Sequence, residues 1–429
     1  MYDLLKKLSQ HSAFYTFANS IEAFSPFLLA IVLTRLLAPE EYGVWVLFIA
    51  LVTFLRPLVN LTIQDALRMH FFEMDDADRA RFVWSSLCLS TLCVAIFIAI
   101  TLALAGPLSA ALSLPAEWLV TIPIAAYLYA VFYFLLAFNQ FAHRRRRFLN
   151  LHIIQTTASL VFIGCLVFND WGWPGVVIGK ISGLTVGCAV GSFWLIRSLP
   201  FRKVLRQSPQ IIQLAKFGLL YLPSGMGLVA IPLTDRLIVT HVLGLAENGL
   251  YGVAALFGVA VFVAINGILH AWMPWLFRSL ANWRGMRREI ITVSLIFFAL
   301  LPIGGVAAYF IAMPVAPIII GDQFDSAFHM IPWAIAGTVS MGYFFHNQAY
   351  LLYKKAVLPM SLSSFSCIIL NAVFSYYGAI EYGVIGVLAA TIGAFLIAAL
   401  ISAVFLIPEY RVKPADANTD ELSATIVTN

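Results

Sequence analysis

Runs of about 20 consecutive apolar residues recur along almost the whole chain, separated by short polar turns, and this constrains the fold more than any other feature. Their approximate limits are 13–34, 43–66, 82–105, 119–141, 149–168, 176–196, 214–240, 249–270, 290–312, 328–350, 357–377 and 383–406. Runs of that length are continuous rather than alternating, so they predict membrane-crossing helices and not the strands of a barrel. Charged residues make up only 11% of the chain, against about a quarter in a soluble globule, too few to cover a water-facing surface. Lipid removes that problem but requires each backbone amide to find its partner internally, which a helix does. The expected fold is therefore all-α and polytopic, with about 12 spans. The net charge of +5 reflects loop placement and not nucleic-acid binding. The five cysteines all fall inside apolar runs without metal-ligand spacing and read as small buried hydrophobes.

The loop charges give an independent test of the topology. With the N-terminus in the cytoplasm, about 21 of the 26 Lys and Arg residues fall in cytoplasmic segments, including Arg144 to Arg147 and Arg284, Arg287 and Arg288. The opposite loops carry acids instead, among them Glu40, Glu41, Glu117, Asp170, Glu247, Asp322 and Glu381. An error of one span would scramble this alternation, so both ends are expected in the cytoplasm. No small-residue cleavage site follows the first apolar run, which reads as an uncleaved span.

A weak internal repeat divides the chain. LLAPEEYGVWVL from Leu36 aligns with VLGLAENGLYGV from Val242, pairing Glu41 with Glu247, Gly43 with Gly249 and Trp45 with Tyr251. A second echo pairs PGVVIGKI from Pro174 with IGVLAATI from Ile385. The offset is six spans, which preserves orientation, so the prediction is two parallel-repeat six-helix lobes with a site between them. The expected division is an N-terminal lobe at 1–198, a basic cytoplasmic linker at 199–213, a C-terminal lobe at 214–407 and a disordered cytoplasmic tail at 408–429.

LTRLLAPEEYGVW after the first span, FGLLYLPSGMG entering the seventh and TDRLIVTHVLGLAENGLYGVA into the eighth resemble the polysaccharide flippases. These are the lipid-linked oligosaccharide exporters of the multidrug/oligosaccharidyl-lipid/polysaccharide superfamily. The resemblance runs over essentially the whole chain. It implies a V-shaped two-lobe bundle in a bacterial inner membrane that moves an undecaprenyl-diphosphate-linked sugar unit to the periplasmic face, for O-antigen, capsule or exopolysaccharide. Expected partners are the lipid-linked oligosaccharide, membrane lipids, and a polysaccharide polymerase with its chain-length machinery. The related lipid II flippases usually carry two further helices, for which no apolar run is found here.

A charge at mid-bilayer costs about 2.5–3.5 kcal/mol, so embedded ionisable residues are the candidate site. Thr53, Arg56, Asn60 and Gln64 fall on one face of the second span, with Arg68 continuing the row. A diphosphate and acidic sugars need fixed cations, and arginine offers a fork that matches phosphate oxygens. Arg56 either lines a cavity or pairs with Glu22 or Asp65. Glu22 and Asp65 are each a partner for Arg56 or a protonatable coupling site. Arg35, Arg236, Lys180 and Lys216 complete the cationic candidates; snorkelling to headgroups is the alternative for Arg35 and Lys216. Asp235 is a coupling candidate or the local partner of Arg236. Tyr127, Tyr129 and Tyr133 are stacking surfaces for sugar rings or packing residues. Ser364, Asn371 and Ser375 follow one face of the eleventh span, with interhelical hydrogen bonding as the simpler account.

No cofactor is expected beyond coupling to H+, Na+ or the membrane potential. A cation-coupled small-molecule exporter of the same superfamily is the alternative function, and predicts a site dominated by acids. An enzyme that polymerises or ligates sugars needs a sizeable external loop for its catalytic residues, and no external loop is long enough. The acidic stretch EMDDADRAR reads as a helix-capping loop.

Overall fold

The computed structural model describes residues 24–200 and 210–411, and is helical with no strand among them. The helices are α1 (Phe24–Leu36, the described part), then α2 (Pro39–Asn60), α3 (Ile63–His70), α4 (Asp76–Ala103), α5 (Ala105–Leu112), α6 (Ala116–Leu119), α7 (Thr121–Phe141), α8 (Arg145–Val167) and α9 (Gly172–Ile196). The second half holds α10 (Ile211–Val242), α11 (Leu245–Ala281), α12 (Trp283–Ile319), a 3-10 turn (Asp322–Met330), α13 (Ile331–Tyr353) and α14 (Val357–Arg411). Eight of the described stretches are long and apolar enough to cross a membrane. Each of the twelve expected spans overlaps a described helix. α14 accounts for two of them. Gly383 at φ +61 breaks it, and Gly378 lies so close on Gly386 that either Cβ would collide with the other's backbone. The two halves thus run antiparallel. α12 shows why the solvent must be lipid: Leu295, Ile296, Leu300, Ile303, Val306, Phe310 and Ile311 all stand exposed along it.

Small residues set the closest approaches. Gly175, Gly179, Gly183, Gly187 and Gly191 repeat every fourth position of α9 and so form one stripe. Cβ atoms on Gly179 and Gly183 would overlap the backbone of Ile163 and Ser159 in α8. Glycine here lets two backbones pack where hydrophobic driving force between spans is missing. With that stripe on α8, Lys180 is turned to the neighbouring face.

The repeat-related helices α2 and α11 meet at their repeat-related glycines. A Cβ on Gly43 would collide with the Leu245 carbonyl, and one on Gly249 with the Pro39 carbonyl. Asn248 Nδ2 donates to the Gly43 carbonyl at 2.9 Å. The contact is reciprocal, each glycine seated against the backbone of the other helix. This crossing lies at the end of the bundle where the loops are acidic. The same end carries a second lock: Arg35 donates from Nη2 to the Ile318 carbonyl (2.8 Å) and from Nη1 to the Ile319 carbonyl (3.2 Å), and Thr34 Oγ1 accepts from Gly321 N (2.9 Å). Arg35 therefore caps the last orphan carbonyls of α12 from across the lobe boundary. The two lobes are closed against one another there.

Near the basic end the packing differs. α10 begins against the first lobe, with Ile211, Leu214 and Leu222 on the core formed by Leu61, Leu67 and Phe138, and finishes in the second lobe. Gly218 fits directly over the Leu61 carbonyl, where a Cβ would collide. Leu61 and Thr62 themselves take positive φ of 45° and 52°, a conformation that costs about 1–2 kcal/mol per residue. They break the second span into α2 and α3, four residues after Pro57.

Candidate functional site

The break at Leu61 changes the expected polar row. Arg56 is half-buried on α2, Asn60 is buried at its last residue, and Gln64 and Arg68 belong to a separate helix. Arg56, Gln64 and Arg68 nevertheless line one recess of about 320 Å³, completed by Tyr133, Gln140 and Phe148. Asn60 is not among the lining residues. The sequence spacing thus finds three of the recess residues although the continuous helix it assumes is interrupted.

Arg56 leads into a column of alternating cations and rings. Its guanidinium carbon sits 4.5 Å from the Tyr133 ring centroid. Tyr133 stacks on Tyr129, one helical turn earlier in α7, at 6.2 Å and 18°. Lys180 Nζ lies 5.4 Å from the Tyr129 centroid. Lys180 is buried and both tyrosines are half-buried. The glycine stripe on α9 produces this placement by fixing which face of α9 meets α8. Each cation–π contact contributes about 0.5–2 kcal/mol and holds the charge in a fixed place. The aromatic residues, for which the sequence favours ordinary packing, are what join the two cations.

A second polar centre forms in the other lobe. Asp235 of α10 is 1% exposed. Its carboxylate accepts from Tyr251 Oη (3.1 Å), Ser375 Oγ (3.0 Å) and Thr391 Oγ1 (3.0 Å). Asn371 Nδ2 donates to Thr391 Oγ1 (3.1 Å) and Ser375 Oγ (3.3 Å), while its Oδ1 is buried without a partner. No guanidinium reaches Asp235 among the described contacts. Arg236 turns instead to the Pro232 carbonyl (3.1 Å) and lies 5.7 Å from the Tyr251 ring centroid. Both residues border a cavity of about 370 Å³ between α10, α11, α13 and α14. Asn371 and Ser375 are visible as a polar face in the sequence. Their convergence with Thr391 and Asp235 is not, because it depends on the α14 hairpin.

The other candidates are dispersed. Arg35 is exposed and holds the α12 carbonyls at the closed end. Lys216 is exposed near the start of α10. Glu22 lies outside the described residues, as does the Asp65 side chain. Asp75 caps α4 through Asp78 N (2.7 Å) and Asp76 pairs with Arg79 (2.9 Å), so that acidic stretch serves the helix start. No cluster of three or more metal-ligating side chains occurs among the described residues. A third feature is an apolar groove of about 560 Å³ between the lobes, walled by Phe24 and Phe27 of α1, Phe257 and Ile265 of α11, and Phe297 and Leu301 of α12.

Comparison with known proteins settles the family. The polysaccharide biosynthesis protein family model matches residues 32–329. The chain belongs to this family. A curated relative, the Lsg locus putative protein 1 of Haemophilus influenzae, is 26% identical over 136 residues, covering 32% of this chain and 34% of that protein. The alignment thus spans about a third of that relative's length. Among solved structures, an inward-facing multidrug resistance MATE family transporter of the MOP superfamily superposes with TM-score 0.73 at 13% identity, over 90% of this chain and 94% of that one. The lipid II flippase MurJ in an inward closed conformation gives TM-score 0.69 at 14% identity, over 93% and 87%. These likenesses establish the MOP-superfamily transporter fold for this polysaccharide biosynthesis protein. An outward-facing structure from the MATE family gives a lower TM-score of 0.59 (14% identity, 93% of this chain and 94% of that one).

Proposed function

We propose that the chain is a flippase for undecaprenyl-diphosphate-linked oligosaccharides, working by alternating access at the bacterial inner membrane. The observation that carries this reading is the Arg56–Tyr133–Tyr129–Lys180 column. Fixed cations match a diphosphate, and stacked rings match the apolar faces of sugars. The apolar groove beside α1 suits a polyprenyl tail that stays in lipid while the headgroup crosses. In this reading both termini and the basic loops are cytoplasmic, and the lobes at 1–198 and 214–407 rock about the Gly43–Gly249 crossing. The basic linker at 199–213 joins them. Arg35 then holds the periplasmic side shut until substrate is loaded.

Asp235 serves as the coupling group. An all-oxygen set of one carboxylate, three hydroxyls and the partnerless Asn371 carbonyl oxygen suits a proton or Na+. Outward movement also gains from the membrane potential, about 2.3 kcal/mol per charge per 100 mV. The product would pass to a polymerase and chain-length machinery for O-antigen, lipopolysaccharide, capsule or exopolysaccharide. The Asp235 centre is also what a cation-coupled small-molecule exporter would need, so that reading stays as the alternative.

The deciding experiment measures transbilayer movement of a lipid-linked oligosaccharide in proteoliposomes, for the unaltered chain and for Arg56→Ala. Movement that is lost in a folded Arg56→Ala supports both the flippase and the column. Movement in both leaves the flippase and removes Arg56 from its mechanism. No movement of several chemically distinct oligosaccharide lipids, with export of an organic cation, would transfer the chain to the exporter reading.

A further inference from the structure

The basic end carries a second cationic device, separate from the Arg56 column. Residues 143–147 read His-Arg-Arg-Arg-Arg at the start of α8. Orienting a helix in a membrane needs net charge near the surface but no particular side-chain geometry. Here the geometry is specific. Arg144 Nη1 lies 2.6 Å and Arg147 Nη1 lies 2.9 Å from a single atom, Oγ of Ser198, just beyond α9. Ser198 directs its own proton to the Trp194 carbonyl, so the hydroxyl has no further lone pair to offer. The two guanidinium groups also approach rings, Arg144 at 5.8 Å from the Phe138 centroid and Arg147 at 5.9 Å from that of Trp194. Two cations are thereby held side by side on one neutral oxygen.

The charge around them is poorly balanced. Burial, and then the nearness of Arg147, pulls the Arg144 guanidinium below its ordinary pKa; Asp76 opposes this and Arg79 adds to it. Asp76 already pairs with Arg79 at 2.9 Å. Residues 143–147 border a shallow recess that is open to the surface. A ligand with two acceptor oxygens on one anionic centre satisfies both forks at once, and a phosphate group has that shape.

Position selects the source of the phosphate. The pair sits at the first turn of α8, a helix long and apolar enough to cross a membrane. Exposed apolar side chains flank it: Phe72, whose ring is 6.2 Å from that of His143, and Phe193 and Ile196 in the last turn of α9. Arg197 lies 4.1 Å over the Phe193 ring. A soluble anion gains nothing from such surfaces, whereas acyl chains do.

We propose that Arg144 and Arg147, framed by Ser198, bind the phosphodiester of an anionic phospholipid in the leaflet at the basic end of the bundle, with its acyl chains against the flanking apolar side chains. This site fixes the start of α8, and through the α8–α9 pair the frame of Lys180, to a lipid of the membrane.

The test is native mass spectrometry of the purified full-length chain with phosphatidylglycerol, phosphatidylcholine or inorganic phosphate added in turn. Phosphatidylglycerol is expected to be retained about tenfold better than phosphatidylcholine, which offers the same phosphodiester oxygens but brings a choline cation towards the two guanidinium groups, a repulsion on the order of 1 kcal/mol. Arg144→Gln/Arg147→Gln should abolish that preference, while Arg278→Gln/Arg288→Gln, which removes equal charge elsewhere on the same end, should keep it. Arg144→Lys/Arg147→Lys keeps the charge and the insertion signal but loses the forks, and should lower the preference several-fold. Equal loss in the Arg278/Arg288 variant, or full retention in the lysine variant, would reduce the site to diffuse charge. Displacement of phosphatidylglycerol by millimolar inorganic phosphate would show a free-anion site and overturn the lipid assignment.

Discussion

The two lobes hold opposite kinds of polar centre. In the first, cations are separated by aromatic rings, from half-buried Arg56 beside a recess through Tyr133 and Tyr129 to buried Lys180. In the second, one carboxylate is sealed among hydroxyls: Asp235 with Tyr251, Ser375 and Thr391. Rings stabilise a cation without neutralising it, so the first centre keeps its charge for a large anion. Hydroxyls can turn from donor to acceptor, so the second centre can accept a small cation without rearranging its backbone. Under the proposed function this difference divides the labour: one half would meet the substrate and the other the driving ion.

The comparison can be broken most severely at Arg56. Arg56→Ala is expected to slow movement of the anionic lipid roughly 10- to 100-fold, because a hydrogen bond to a charged group contributes about 1.5–3 kcal/mol. Its dependence on imposed ion gradients should be unchanged. Asp235→Asn should do the reverse. Stimulation by an H+ or Na+ gradient should vanish, with a fall of about tenfold, the scale of a coupling free energy of 1–3 kcal/mol. Flux in proteoliposomes with and without each gradient separates the two, and a division of labour does not survive if both variants lose gradient dependence alike. A smaller effect is expected at the rings. Tyr133→Ala should cost about 3- to 10-fold, Tyr133→Phe almost nothing, and a double-mutant cycle with Arg56→Ala should be non-additive. The smallest is at the closed end: Arg35→Gln should raise the fraction of chains open there about fivefold, by loss of roughly 1 kcal/mol of charged capping. Distances between spin labels placed on the two acidic-end loops would report it.

Much of this is legible in the residues themselves. Span length and loop charge predict the helices, and the LLAPEEYG and LGLAENGL echo predicts the repeat whose glycines meet at 43 and 249. Arg56, Gln64, Lys180 and Asp235 are all marked by one physical fact, the cost of placing polar and charged groups in lipid. Other features are not legible. A continuous row from Thr53 to Arg68 overlooks the left-handed pair Leu61–Thr62, since neither residue type announces positive φ; Gly218, 157 positions away by sequence number, fits over that break. Arg35 reads as a cavity cation, but its hydrogen bonds go to the carbonyls of Ile318 and Ile319, which no local pattern reveals.

The sequence alone determined that this protein lies in a membrane, that it crosses it repeatedly, which ends of its helices are basic, and which charges need explaining. Those properties follow from hydrophobic transfer and loop charge, which are set residue by residue. Which charges stand together was decided only by the tertiary structure. Tyr129 meets Lys180 because a glycine stripe rotates α9, and Asp235 meets Thr391 because Gly383 reverses α14. Such contacts depend on helix rotation and reversal, set by close packing between segments distant in the chain, and neither hydropathy nor spacing carries that information.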